Sequence, residues 1–275
     1  MSATVRARPR KSLGQHWLTD RKALRRIVEA AEISPEDTVI EVGAGTGLLT
    51  QEVAGKGRRL IAVELDERLA GDLQRRFAGD DRVSVLEQDV LQVTPEELLI
   101  AGGGSVPYVV VGNLPYFIGT AILRRFLEAS VRPRTLVVTL QAEVAESIAA
   151  PPGRMSYLSV EMQTLASARV LFYLPPRAFK PPPKVRSAVV RLDVLEASDA
   201  EVDDREALLA LVRAGFAAPR KRLRNSLAIG LRIATSEAAA MLAEAALDPD
   251  QRPAMLSVTD WRDLYFAYRS RAAAT

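Results

Sequence analysis

Residues 111–117 read Val-Gly-Asn-Leu-Pro-Tyr-Phe and follow a short apolar run, Tyr108 to Val111, that is rich in valine. Such a run is typical of a buried parallel strand, and open α/β sheets bind ligands at the carboxyl ends of their strands. Asn113, Pro115 and Tyr116 would place an amide oxygen, a backbone carbonyl and an aromatic ring there. This set suits the binding of a planar exocyclic amine, although a turn that ends a strand is the simpler interpretation.

A glycine-rich loop follows an earlier β-branched run that begins at Thr38. Gly43, Gly45 and Gly47 would let the backbone approach a nucleotide-type ligand closely. Leu48 stands where the dinucleotide fingerprint needs a small residue, which disfavours a NAD-dependent oxidoreductase. The loop also lacks the Gly-Lys-Ser/Thr ending of a P-loop, so we do not expect a bound triphosphate.

Two acids follow the next two predicted strands. Glu64 ends the strand 59–64, where a carboxylate can accept both ribose hydroxyls of a nucleoside. Asp89 follows the strand 83–87 and could accept from an adenine amine. Each acid could instead cap the following helix, but two such acids after a glycine loop favour a ligand site.

Strands and helices alternate through the first two thirds of the chain, and only helices are predicted after residue 196. The pattern predicts an α/β fold, a mixed sheet with helices on both faces plus a small all-helical C-terminal domain. We predict a disordered basic tail at 1–11, a sheet domain at 12–195 and a helical domain at 196–275.

Composition excludes several classes of protein. The 275 residues include no cysteine and one histidine, His16, which rules out disulfides and thiolate sites and argues against a Ser-His-Asp triad or a metal site. We therefore expect no metal. The lack of a long uncharged apolar segment argues against a membrane span, and we expect a cytoplasmic monomer.

Basic residues are clustered although the net charge is only +3. Eight basic residues and one acid lie in Met1–Arg26, and six basic residues without an acid lie in each of Arg169–Arg191 and Arg213–Arg232. Solvated helix faces would explain one such run. Three runs favour a surface that binds a polyanion.

The motifs together resemble an S-adenosylmethionine-dependent amino-methyltransferase, and three more segments narrow the resemblance. Residues 13–18, Leu-Gly-Gln-His-Trp-Leu, resemble the Gly-Gln-Asn-Phe-Leu motif of the ribosomal RNA adenine dimethyltransferases. Residues 179–187 resemble the Phe-x-Pro-x-Pro-Lys-Val-x-Ser segment of that family, and Arg220–Leu227 is similar to the arm of its small-subunit branch. The resemblance runs from about Lys11 to Leu264.

The resemblance implies dimethylation of the N6 amines of two adjacent adenosines near the 3′ end of small-subunit (16S) rRNA, within immature small subunits. The implied catalytic residues are Asn113, Pro115, Tyr116 and Phe179, with Phe179 closing over the target ring. The implied cofactor-binding residues are His16, Leu18, Gly43, Gly45, Glu64, Asp89 and Asn113, with Glu41 in a supporting role. The implied RNA-binding residues are Lys184, Arg220, Lys221, Arg222 and Arg224.

The chain departs from the family pattern at His16 and Trp17, where asparagine and phenylalanine are usual. Imidazole can still make one hydrogen bond to a cofactor. Three alternatives stay open: a large-subunit rRNA methyltransferase, against which the Arg220–Leu227 arm argues; a DNA-adenine or glutamine-amide methyltransferase; and a non-catalytic ribosome assembly factor of the same fold.

Overall fold

Alternating strands and helices build the N-terminal part of the chain in the computed structural model, which describes residues 15–196 and 204–273. The predicted tail at 1–11 lies outside the described residues. The strands are β1 Trp17–Leu18, β2 Thr38–Val42, β3 Arg59–Glu64, β4 Val83–Glu87, β5 Tyr108–Asn113, β6 Thr135–Gln141, β7 Ala166–Leu174, β8 Phe179–Lys180 and β9 Ser187–Val194. The helices are α1 Arg21–Ala30, α2 Leu48–Val53, α3 Glu67–Phe77, α4 Pro95–Ala101, α5 Gly119–Leu127, α6 Ala142–Ile148, α7 Tyr157–Gln163, α8 Arg205–Gly215, α9 Leu223–Leu231, α10 Thr235–Glu244 and α11 Val258–Ala273.

Seven strands form one mixed sheet in the order β4-β3-β2-β5-β6-β9-β7. The pairs from β4 to β6 are parallel, and β9 pairs antiparallel with β6. The first three strands of this sheet, β2, β3 and β4, are added from the centre towards one edge, and β5 and β6 are added from the centre towards the other edge. The strand order therefore reverses between β2 and β5. The predicted α/β fold with a mixed sheet is confirmed, and the reversal marks where such sheets bind ligands.

Local sequence explains most helix starts. Asp20 accepts from the backbone N–H groups of Lys22 and Ala23 at the start of α1, as its capping role predicts. Ser257 and Asp260 form a reciprocal cap at the start of α11. The helix α9 begins at Leu223, because Arg222 is in an extended conformation.

The chain divides into two compact units. The sheet unit contains Met1–Ala145 and Ser167–Val194, and the helical unit contains Glu146–Ala166 and Leu195–Thr275. This division differs from the predicted one in residues 146–166, which lie in the helical unit. Met155 belongs there because it joins an apolar core with side chains of α8 to α11.

Each unit has an apolar core. In the sheet unit α1 and α2 pack on one face of the sheet, and the core side chains include Leu24, Ile27, Val53, Val109 and Phe179. In the helical unit Leu211, Leu227, Leu242 and Trp261 are fully or almost fully buried. No single helix of the described residues is long and apolar enough to cross a membrane; α9 and α10 pass that test only as a pair bent by 116°.

Candidate active site

The reversal of strand order brings the glycine loop and Asn113 to neighbouring strand ends. Val42 of β2 pairs in register with Gly112 of β5, so the residue that follows each lies at the same sheet edge. Gly43, which follows Val42, lies so close that a Cβ built on it would be 3.7 Å from the backbone oxygen of Asn113. The topology therefore joins two motifs that are about seventy residues apart in sequence.

The backbone conformation of the glycine loop requires glycine at three positions. Gly43, Gly45 and Gly47 all have positive φ angles, between 57° and 76°, a region that side chains with a Cβ rarely adopt. A Cβ on Gly45 would also lie 3.1 Å from the Trp17 ring. The loop thus leaves no space for side chains where it faces the N-terminal motif.

A cavity of about 100 Å³ opens at this edge of the sheet. The predicted site residues that line it are His16, Gly43, Gly45, Glu64, Asp89, Asn113, Pro115 and Tyr116. Leu18 is a core residue and borders a smaller cavity next to the glycine loop. Sequence reasoning thus found most of the polar residues that line the larger cavity.

Two backbone N–H groups hold the Glu64 carboxylate in place. Oε2 accepts from Gly45 at 2.7 Å and Oε1 from Asp66 at 2.8 Å. Each oxygen retains a lone pair for a ligand hydroxyl. Burial raises the pKa of Glu64, so a ligand that donates to the carboxylate would stabilise its charged form.

Asp89 has a structural contact and faces the same cavity. Its Oδ1 accepts from the backbone N–H of Leu91 at 3.0 Å. This bond fixes the turn after β4, whereas the following helix α4 is capped by Thr94, so Asp89 does not have the helix-capping role. Gln88 and Val90 line the cavity beside it.

Asn113 is oriented by its own amide. Its Nδ2 donates to the backbone carbonyl of His16 at 2.7 Å, which identifies the other side-chain atom as the oxygen. That Oδ1 is buried and has no partner among the described residues. A buried acceptor without a partner is costly, and this one belongs to a residue that lines the cavity.

Pro115 and Tyr116 continue the motif beside it. The Pro115 carbonyl accepts from Ile118 at 3.2 Å in a turn and keeps its second lone pair. The Tyr116 hydroxyl hydrogen-bonds the Ser187 hydroxyl, and burial raises the pKa of Tyr116. The imidazole of His16 stacks on the Tyr116 ring at 5.8 Å with an interplanar angle of 19°.

The N-terminal motif and the Pro-rich segment form a second, two-stranded sheet. In β1 and β8, Trp17 pairs with Lys180 and Leu18 with Phe179. The His16 ring is fixed beside this pair, because its Nδ1 donates to the Pro181 carbonyl at 2.8 Å. Two segments that resemble separate family motifs thus make one layer at the cavity.

Phe179 packs inside the sheet unit. Its side chain is 2% exposed and packs in the core of the sheet unit with Leu18, Leu174 and Ala178. It is not among the residues that line the cavity. Its strand turns the ring towards the core, and its closing over a target ring stays a prediction.

Glu41 is a deeply buried acid near this edge. Its side chain borders the smaller cavity, and burial raises its pKa to about 8. The residues that sequence reasoning left without a role include Trp17, which borders both cavities, and Phe117, which is 65% exposed at the mouth of the larger one. Both residues lie within the motifs, but their residue types alone did not indicate a function.

The basic segments are mostly exposed. Lys184, Arg220, Lys221 and Arg222 are exposed and Arg224 is partly buried. Arg222 and Arg224 both pair with Asp250, at 3.1 and 2.8 Å. No group of three or more potential ligands for a metal ion occurs within residues 15–196 and 204–273.

Comparison with known proteins finds relatives that share one name. Ribosomal RNA small subunit methyltransferase A of Dehalococcoides mccartyi (strain CBDB1) is 40% identical over 259 residues, covering 94% of this chain and 88% of that protein. Its counterpart from Synechococcus sp. (strain RCC307) is 41% identical, covering 92% of this chain and 93% of that protein.

Solved structures show the same architecture. The 23S rRNA methyltransferase ErmE superimposes with a TM-score of 0.73 at 31% identity, covering 91% of this chain and 98% of that one. A dimethyladenosine transferase from Plasmodium falciparum has a TM-score of 0.80 at 21% identity, covering 94% and 98%, and so shows the shared fold. The model of the family "Ribosomal RNA adenine dimethylase" matches residues 6–265, and this chain therefore belongs to that family.

Proposed function

We propose that this chain uses S-adenosylmethionine to dimethylate the N6 amines of two adjacent adenosines near the 3′ end of small-subunit rRNA, within immature small ribosomal subunits. The observation that carries the proposal is the buried Asn113 oxygen, which has no partner among the described residues and belongs to a residue of the cavity. The relatives that are 40% identical over most of the chain support the small-subunit target.

The cavity suits the cofactor. Gly43 and Gly45 admit a ligand close to the backbone, Glu64 would accept the ribose hydroxyls and Asp89 the adenine amine, with His16 and Leu18 closing over them. When bound, S-adenosylmethionine supplies an electrophilic methyl group with a neutral leaving group.

The residues of the Asn-Leu-Pro-Tyr motif would prepare the nucleophile. Adenine N6 is nearly planar because its lone pair is shared with the ring. Asn113 Oδ1 and the Pro115 carbonyl would accept its two hydrogens and draw the nitrogen towards tetrahedral geometry. They also stabilise the positive charge that develops on N6. The methylated amine is acidic enough to lose its proton to water, so the site needs no strong base.

Tyr116 would bind the target ring after the base leaves its stack. Its hydroxyl is held by Ser187, which fixes the direction in which the side chain points. His16 covers one face of that ring, so we assign the target base to the opposite face. Nδ2 of Asn113 donates one of its hydrogens to the His16 carbonyl, and Oδ1 has no partner among the described residues, so we assign Oδ1 to the target amine in preference to the cofactor.

Exposed basic side chains would bind the rRNA backbone. We assign this role to Lys184 in the sheet unit and to Arg220, Lys221, Arg222 and Arg224 in the helical unit, because three of these four and Lys184 are exposed. The protein would act as a monomer in the cytoplasm, where small subunits mature.

A second target has specific support, because the large-subunit enzyme ErmE is 31% identical to this chain. The deciding experiment supplies labelled S-adenosylmethionine with immature small subunits, large subunits or either naked rRNA, and identifies the modified nucleoside. N6,N6-dimethyladenosine confined to small-subunit RNA is the expected result. Label in large-subunit RNA would move the function to the second target, and cofactor binding without transfer would indicate an assembly factor.

A further inference from the structure

Three polar atoms without a partner among the described residues belong to residues around the smaller cavity beside the glycine loop. They are the Trp17 indole nitrogen Nε1, Glu41 Oε2 and Asn113 Oδ1, and all three atoms are buried. The Glu41 side chain is only 1% exposed. The cavity of about 30 Å³ has room for small polar groups but not for a ring.

Four backbone N–H groups of the glycine loop already have acceptors within the protein. Gly43 and Ala44 both donate to the Val63 carbonyl, at 2.9 and 3.2 Å. Gly45 donates to Glu64 and Gly47 donates back to Ala44. Among the side chains that border this cavity, the indole N–H of Trp17 is a buried donor without a partner among the described residues.

Because Asn113 Oδ1 is assigned to the target amine, the indole donor of Trp17 and the carboxyl group of Glu41 remain for the cofactor, and they complement the two charged groups of an α-amino acid. We propose that Trp17 Nε1 donates to the carboxylate of the methionine end of S-adenosylmethionine, while Glu41 faces its ammonium group. The inference rests on the proposed function and adds a residue that binds this end of the cofactor. A phenylalanine ring would fill the same space without the N–H, so the contact is specific to the tryptophan.

The test compares two ligands that differ only in that end. S-adenosylhomocysteine carries the amino-acid group, and 5′-methylthioadenosine lacks it. We expect Trp17→Phe to weaken S-adenosylhomocysteine binding, measured by calorimetry, by roughly 10- to 100-fold, the effect of one hydrogen bond to a charged group. Binding of 5′-methylthioadenosine should change by less than about twofold, a difference too small for a lost hydrogen bond.

The chain offers a matched control. Trp261, its other tryptophan, is buried in the helical unit and also has an indole nitrogen without a partner among the described residues. Trp261→Phe should leave the affinities for both ligands unchanged. It also leaves Trp17 as the sole tryptophan, so that its fluorescence should respond to S-adenosylhomocysteine and much less to 5′-methylthioadenosine.

The outcomes are separable. Equal weakening of both ligands by Trp17→Phe, or no weakening, would overturn the inference and leave Trp17 as a packing residue. If Trp17→Phe does not fold, the fluorescence of the Trp261→Phe protein decides, and equal responses to the two ligands would count against the contact. A wild-type protein that binds neither ligand would reject the proposed function and the inference with it.

Discussion

The sheet unit and the helical unit each bury an indole N–H that has no partner among the described residues. The surroundings of the two atoms differ, and only one of them indicates a ligand-binding site. Trp17 borders a cavity that also contains unpaired acceptors of Glu41 and Asn113. Trp261 is fully buried in an apolar core, where its ring lies tilted against that of Phe216 with the centroids 5.6 Å apart. An unpaired polar atom therefore indicates a ligand only where a cavity and complementary groups accompany it. Elsewhere it is a cost of burying a large ring.

The largest effect is expected from a substitution in the sheet unit that removes the unpaired acceptor of Asn113. Asn113→Ala removes both the unpaired Oδ1 and the donor to His16. We expect methyl transfer to fall by a factor of about 1,000 or more, because loss of one preorganised polar group at a reacting atom commonly costs 100- to 1,000-fold and the amine loses its orientation as well. Single-turnover transfer to small-subunit RNA measures the effect.

Folding of this variant needs its own measurement. Circular dichroism and thermal unfolding should match the wild type, since Asn113 ends its strand and is only partly buried. Asn113→Asp keeps an acceptor and loses the amide donor, and its activity would separate the two functions of the side chain. Substantial transfer by a folded Asn113→Ala protein would remove Asn113 from the mechanism.

The second prediction contrasts buried and exposed acids. Burial raises the pKa of Glu41 from 4.5 to about 8, so between these pH values the folded protein holds a proton that the unfolded chain releases. Wild-type stability should therefore fall as the pH rises from about 4.5 to 8. Glu41→Gln lacks this titration, and its stability relative to wild type should rise by roughly 3–5 kcal/mol across that interval.

For Glu244 of the helical unit, we expect a pH dependence of the stability that is opposite in sign. Hydrogen bonds from Arg271 lower its pKa, so its contribution is present at neutral pH and is lost as the pH falls through the acidic range. Glu244→Gln should thus approach wild-type stability at low pH. Urea unfolding at several pH values measures both variants, with Trp17 fluorescence in a Trp261→Phe background reporting on the sheet unit. A difference between Glu41→Gln and wild type that does not change with pH would contradict the assignment.

Most of the sheet and much of the site followed from local sequence. The bounds of β3 and β4 agree with the prediction, because runs of β-branched and apolar residues act over a few residues. Glu64, Asp89 and Asn113 line one cavity as predicted, since parallel strands end at a common edge.

The features that local sequence does not show share a physical cause, which is contact between distant segments. The pairing of β1 with β8 joins two-residue strands that show no periodicity, and it is this pairing that buries Phe179. Residues 146–166 have ordinary helical patterns, and only packing against the C-terminal helices assigns them to the helical unit. The partner of Arg222 and Arg224, Asp250, lies beyond any local signal.

The third prediction concerns the helical unit, whose proposed role in RNA binding depends on exposed positive charge rather than on a cavity. Replacing Arg220, Lys221, Arg222 and Arg224 by Gln should weaken RNA binding roughly tenfold at physiological salt and reduce the salt dependence by about two or three counterions. The turnover rate at saturating RNA should stay near the wild-type value, because none of the four lines the cavity.

The matched control neutralises four exposed basic residues of the sheet unit, Lys56, Arg68, Arg75 and Arg82. It changes the net charge equally and should weaken RNA binding less. Filter binding across a range of salt concentrations measures both proteins. An equal loss in the two would reject the assignment of the arm and leave only a general effect of charge.

The smallest expected effect concerns a single acid. Asp250 pairs with both Arg222 and Arg224, so the arm presents less positive charge than its sequence suggests. Asp250→Asn should release both side chains and strengthen RNA binding by about two- to fivefold at low salt, an effect that salt screens. The loss of exposed ion pairs should hardly change the stability. Asp80→Asn is the control, because it releases Arg82 of the sheet unit in the same way. Stronger binding by Asp250→Asn alone would show that this pair limits the affinity of the arm, whereas equal gains in both variants would show that only net charge matters.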